Sequence, residues 1–344
     1  MATFNRKVGI AFGPQTTEGT ADTTIVALSG ALDLDDGIVL GDVGSGLVES
    51  GITHSFTRRL REKGTVAGSF TRLASDFLEE EVSLSFAFPM AGNRKTTTTP
   101  DSLEFEAQKG IKALLGACGL DGITSPSNPT VGWKYTPEDC AIATARIFDS
   151  GVAWVIRDIR GDWSLAQAPG EIGIMTCTLN GIVDSFNAAV TFPTFDFEEQ
   201  ATINAPSVQN VNPVWGAIGR GWTDLTLSCA NNIESIPDSA SDVGKSFEQT
   251  GREITLSMNI RASNSDLDYA RSQLILDSNP SGNLDYTVGV AASASDPAVA
   301  YQVKCSNLEV TDYTPDVAGM KASSNVTAVC TGTTDASEFF LAFL

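Results

Sequence analysis

The 344-residue sequence has a single histidine, His54, and no cysteine pair at metal or redox spacing. One imidazole cannot build a multi-histidine metal centre. A serine triad would need a nucleophile motif such as G-x-S-x-G, which is missing. His54 therefore reads as an ordinary strand residue. The six cysteines (Cys118, Cys140, Cys177, Cys229, Cys305, Cys330) are scattered, which points to free buried thiols rather than disulfides or zinc ligands. No apolar run is long enough for a signal peptide or a membrane span, so the expectation is folding in a cytoplasm with no membrane contact. Basic residues are also few, 22 against 42 acidic, for a net charge of −20. Proteins that track phosphates present clustered Lys and Arg, so specific nucleic-acid binding is disfavoured.

Apparent motifs fail on spacing. Val243-Gly244-Lys245-Ser246 ends like a phosphate loop, but the glycine such a loop needs falls on Ser239. The glycines at 41–51 and 216–221 do not match a dinucleotide fingerprint. Glu79-Glu80-Glu81 and Glu198-Glu199 lack the spacing of a calcium loop and read as solvated or subunit-facing charge. The basic cluster Arg58-Arg59-Leu60-Arg61-Glu62-Lys63, next to Gly64, reads as a solvated hairpin tip or a contact with an acidic neighbouring subunit. The sequence thus points to no cofactor, no metal and no catalytic constellation, and the chain is not expected to be an enzyme.

What is present is a globular balance, 42% hydrophobic and 19% charged, over a length that fits two domains. It also contains a repeat. Residues 80–88 read EEVSLSFAF and residues 252–260 read REITLSMNI. Alternation puts Val82, Leu84, Phe86 and Phe88 on one face of the first strand, and Ile254, Leu256, Met258 and Ile260 on one face of the second. A helical pattern follows each. In 101–119 Asp101 and Glu104 cap a face of Leu103, Ala107, Ile111, Leu114 and Leu115; in 263–280 Asn264 or Ser265 caps Leu267, Ala270 and Leu274, with Asn279-Pro280 as the stop. The strands GWKYTP (132–137) and NLDYTVGV (283–290) come next. Then 159–181 aligns with 308–332, pairing Asp162-Trp163 with Asp312-Tyr313 and Cys177 with Cys330. Ahead of the repeated strand each half has an ascending strand, a polar loop and a return. The second loop, 236–251, is expected to be ordered by a partner. Its Asp238, Asp242, Lys245 and Glu248, together with Arg58, Arg59 and Arg61, are candidates for contacts with a neighbouring subunit. The stretch 193–216 has three prolines and no helical period. The expected organisation is a mainly β chain of two tandem β-sandwich or barrel domains, each with one flanking helix. Residues 1–195 form the first domain with an N-terminal arm, 196–214 a linker and 215–344 the second domain.

The opening VGIAFGPQTTEGTADTTIVAL (8–28), the EVSLSF-type strand, the capped helix and the ending SEFFLAFL (337–344) together resemble the tail tube proteins of long, non-contractile bacteriophage tails. The resemblance implies subunits that join sheets side by side into rings, stacked into a hollow conduit through which genome DNA passes without specific binding. It implies tape measure, terminator and tip proteins as further partners, and a place in the virion tail after assembly in the bacterial host cytoplasm. Most members carry one domain and form six-membered rings; two domains here imply three chains in a pseudo-sixfold ring. Net acidity is compatible with a lumen that repels phosphates. The alternative is a baseplate, tail-tip or capsid decoration protein.

Overall fold

A computed structural model describes residues 8–27, 31–32, 53–61, 76–90, 109–124, 133–149, 151–169, 171, 173–188, 190, 194–195, 214–215, 218–219, 222–237, 245–261, 281–290, 299–316, 323–333 and 335–343. In chain order its strands begin with β1 (Val8–Pro14), β2 (Ala31–Leu32), β3 (Thr53–Arg61), β4 (Asp76–Pro89), β5 (Gly122–Thr124), β6 (Trp133–Thr136), β7 (Ala143–Asp149), β8 (Val152–Gln167), β9 (Ile174–Ala188) and β10 (Thr194–Phe195). They continue with β11 (Val214–Trp215), β12 (Ile218–Gly219), β13 (Trp222–Ala230), β14 (Ile233–Pro237), β15 (Lys245–Gln249), β16 (Glu253–Arg261), β17 (Ser281–Val290), β18 (Val299–Asp316), β19 (Ser323–Cys330) and β20 (Phe339–Phe343). The described helices are α1 (Thr23–Ala27), α2 (Lys109–Ala117) and α3 (Asp335–Glu338). The protein is mainly β, as the alternating sequence pattern implies.

Helix α2 packs on β1 and buries Ala113, Leu114, Leu115 and Ala117. It stops at Gly119, whose φ of 78° turns the chain left-handed. Gly119 N–H then bonds the Gly116 carbonyl and Leu120 N–H the Leu115 carbonyl, which satisfies two end carbonyls. Asp22 caps α1 by accepting from Thr24 and Ile25 N–H.

Fourteen strands form one sheet with the path β3-β4-β9-β8-β13-β16-β19-β18-β20-β6-β5; β7 and β1 branch from β8, and β17 from β18. The order β3-β4-β9-β8 is matched by β13-β16-β19-β18. In both, a preceding strand (β7 or β17) pairs with the first part of the long one. β9 lies along β8 from Val152 to Ala166. The corresponding edge of β18 is shared by β20 at Tyr301–Cys305 and β19 at Leu308–Asp316, with the turn carrying α3 between them.

Register refines the sequence alignment. Leu84 faces His54 and Leu179, while Leu256 faces Leu227 and Ala328. Trp163 sits opposite Cys177 and Tyr313 opposite Val326, so Asp162-Trp163 and Asp312-Tyr313 do occupy matching places. Two pairings from sequence are corrected. Val326, not Cys330, holds the position of Cys177. The strand matching 283–290 is β7, because both flank the first part of the long strand; β6 instead pairs β20 and β5. Short segments with an aromatic residue and a threonine look alike, and only long-range pairing tells them apart.

The core runs through both halves. Val82, Leu84, Phe86 and Phe88 are buried on β4 and Ile254, Leu256, Met258 and Ile260 on β16, while Ser83 and Ser257 are exposed. Each such aliphatic or aromatic side chain contributes about 1.5–3 kcal/mol on burial. At Gly161 a Cβ would stand 2.1 Å from the Thr178 carbonyl oxygen, so β8 and β9 approach there only because the residue is glycine. Nearby, Asp158 has a φ of 55° at an irregularity of β8. Its buried carboxylate accepts from Gln15 Nε2, Gly19 N–H and Arg157, which ties the 15–19 turn to the bend.

Candidate assembly interface

The two halves meet edge to edge within one chain. β13 adds antiparallel to the last part of β8, with Leu225 facing Gln167, Leu227 facing Leu165, Ser228 facing Ser164 and Cys229 facing Trp163. Leu165 and Leu227 are buried, and the small polar pair Ser164 and Ser228 is half-buried on the other face. A second joint forms where β20 pairs with β6, Leu341 facing Tyr135. Arg252 ties it by an ion pair to Glu338 (3.3 Å) and a hydrogen bond to the Glu138 carbonyl (3.1 Å), and Lys134 Nζ lies 4.4 Å from the Phe340 ring centroid.

Polar side chains lock the seam. Asn231 is fully buried; its Nδ2 donates to the carbonyls of Cys118 (2.9 Å) and Gly161 (2.7 Å), and its N–H to Asp162 Oδ1 (2.7 Å). Gln249 Nε2 donates to Asn231 Oδ1 (3.1 Å), while Gln249 Oε1 accepts from Cys140 N–H (2.8 Å). Tyr301 OH donates to Gln167 Oε1 across the same seam. Sequence reading missed Asn231, Gln249 and Gln167. The only sequence signal is polar residues at strand ends, and polar ends are usually solvated.

The sequence-derived candidates fall in several places. Arg58, Arg59 and Arg61 lie within β3, not at a tip, and their Cα partners on β4 are Glu80, Glu79 and Asp76. The basic and acidic clusters are thus cross-strand neighbours, an arrangement that favours pairing. Of the polar stretch 236–251, residues 236–237 and 245–249 belong to the β14·β15 hairpin. Lys245 closes the hairpin opposite Pro237, and exposed Glu248 accepts from Ser246 Oγ (3.2 Å). Asp238 and Asp242 lie outside the described residues, as do the helical pattern at 263–280 and the Asp101 and Glu104 cap.

All six cysteines are buried thiols, with the Sγ atoms of Cys305 and Cys330 2.9 Å apart. Burial pushes the Cys140 thiol up to about 12 and raises Cys229 and Cys305 as well. A hydrogen bond with Cys177, then burial, raises Cys118. Thiols so placed are poor nucleophiles. Among the described residues no three His, Cys, Asp or Glu side chains cluster as a metal site, and no helix is long and apolar enough to cross a membrane.

Long antiparallel strands, apolar on one face and joined edge to edge by a polar clasp, define a mainly β protein whose two halves share one sheet. The chain matches the family described as phage tail tube protein over residues 5–334, and it belongs to that family. No curated protein matches it. Membership makes it a structural component of a phage tail that associates with itself into a tube and with other tail proteins.

Proposed function

We propose that the chain is the major tail tube subunit of a long, non-contractile tail, polymerising into stacked rings that conduct the genome into the host. The observation that carries this reading is the recurrence of the strand order β3-β4-β9-β8 as β13-β16-β19-β18, with the two sets joined edge to edge. On this reading residues 1–195 and 215–344 are tandem tube domains on either side of the 196–214 linker. Three chains then supply six wedges of a ring, and each covalent joint removes one association cost. DNA passes without specific binding, helped by the net charge of −20. The subunit has no catalytic role, and assembly takes place in the host cytoplasm.

The β14·β15 hairpin, with Asp238, Asp242, Lys245 and Glu248, makes contacts between rings, and Arg58, Arg59 and Arg61 belong to the same stacking surface. Electron microscopy of the purified protein tests the reading: tubes whose averaged cross-section has three chains per ring support it. A ring of six whole chains overturns the stoichiometry, and a protein that stays monomeric at high concentration overturns the tube.

A further inference from the structure

Resting on the tube reading, we infer that one chain joins the next by repeating its own internal seam, with the outer edge of β3 docking on the final segment of β18 of a second copy. Among the described residues β3 pairs only with β4, and beyond Glu309 β18 pairs only with β19. These are the two places where the matching strands of the other half are occupied: β13, the counterpart of β3, and the end of β8, the counterpart of the end of β18, are partners of each other.

The match fixes a register. Ser228 faces Ser164 in the internal seam. Ser228 corresponds to Ser55, because they face the matched residues Thr255 and Ser83, and Ser164 corresponds to Thr314, one residue beyond the matched Trp163 and Tyr313. Ser55 therefore faces Thr314 of the second copy, Thr53 faces Asp316 and His54 faces Pro315. Ser55 and Thr314 are both exposed, and they repeat the small polar chemistry of the internal pair.

Backbone phase supports this register. Met90 N–H donates to the Gly173 carbonyl. Alternation along the ladder then turns the backbone groups of Leu84 toward Leu179, and those of its β3 neighbour His54 outward. On the other side Thr331 N–H donates to the Asn307 carbonyl. Counting through the irregularity at 310–312 turns Thr314 toward Asn325 and Pro315 outward. His54 can thus donate to the Pro315 carbonyl. Having no N–H of its own, Pro315 leaves the edge one donor short, which discourages indiscriminate strand addition. A separate observation agrees. β20 is flanked by β6, whereas the corresponding end of β9 carries Phe186, 50% exposed.

The register puts Ser55 and Thr314 in a non-hydrogen-bonded pair, with Cα atoms about 4.5 Å apart, within reach of a disulfide. The double variant S55C/T314C, assembled and then mildly oxidised, should give a covalent ladder on a non-reducing gel that ends at three chains. The six buried native thiols supply the background, read from the single variants. S55C/S306C, with its second cysteine far along β18, should give no ladder. His54→Pro removes an outward donor and spares the β3·β4 ladder, so it should keep the parent circular dichroism spectrum while the sedimenting fraction falls at least tenfold.

Assembled S55C/T314C that runs as monomer, or equal cross-linking by S55C/S306C, overturns the joint and leaves the tube standing. A ladder ending at six chains supports the joint and overturns the threefold count. If the parent protein does not sediment at any concentration, the tube reading falls and the joint with it.

Discussion

Asn231 donates through Nδ2 to the Gly161 carbonyl at 2.7 Å, a bond between residues 70 positions apart that crosses from one half of the chain to the other. The same amide bonds the Cys118 carbonyl and accepts from Gln249, so a single side chain satisfies polar groups on three segments. Replacing it with leucine keeps the volume and leaves those groups buried without their partner. Each such orphan costs about 1–3 kcal/mol. Asn231→Leu should lose roughly 3 kcal/mol or more in urea unfolding, and amide exchange at the β8·β13 seam should accelerate first. An unchanged midpoint would show that the clasp contributes nothing net.

The repeated strands make a sharper demand. Leu84 is 1% exposed and Leu256 0%. Aspartate at either place buries a charge among apolar neighbours, at a cost of several kcal/mol. Insoluble or unfolded protein is expected from each single variant, with Leu256→Ala milder at about 2–5 kcal/mol. Soluble, assembled Leu256→Asp would contradict the assigned face.

Local features were legible in the sequence, and pairings were not. Period-two alternation identified the faces of β4 and β16 because each strand buries one side only. The helical face with Leu114 and Leu115 was visible for the analogous reason, while Gly119, which ends the helix, becomes identifiable only from its conformation. The match of Cys177 with Val326 could not be read, because an offset of four residues preserves strand parity and shows only in the register with β16. The basic cluster was placed at a tip because charge runs suggest solvent. Its acidic partners Glu80, Glu79 and Asp76 lie further along the chain, on the neighbouring strand, and nothing local reports that pairing. Phe247, 6% exposed, was assigned to a polar loop for a similar reason: one aromatic residue among serines and acids carries little periodic signal.

The thiols give a pH signature. In the unfolded chain a cysteine ionises near its ordinary value of 9.0, whereas burial holds folded Cys140 up to about 12. Below 9 both states keep the proton and the stability is fully present. Between 9 and about 12 only the unfolded chain ionises, so stability falls as pH rises through that window. Each unit of separation corresponds to about 1.4 kcal/mol. Urea midpoints should therefore drop steeply above pH 9, and Cys140→Ala should flatten the slope. At neutral pH a thiol reagent should label the protein only after denaturation; rapid labelling of the native protein would contradict the burial.

The hairpin provides a test of stacking. Phe247 is buried, and Gln249 reaches both Cys140 and Asn231, so the base of the hairpin belongs to the fold. A deletion aimed at assembly must therefore spare 245–249 and remove 238–244, with Asn-Gly joining Pro237 to Lys245, the last pair of the β14·β15 register. On the stacking proposal this variant keeps the parent circular dichroism spectrum and urea midpoint, because no described core contact is lost. Its tubes should shorten or give way to single rings, because the acidic groups that meet the next ring are gone. Exposed charge pairs weaken with ionic strength as the Debye length falls from about 8 Å at physiological salt to about 3 Å at 1 M. Parent tubes moved to 1 M salt should therefore shorten toward the length of the variant, while variant tubes should respond little. Normal-length tubes from the deletion, measured by electron microscopy, would place the stacking contacts elsewhere on the subunit.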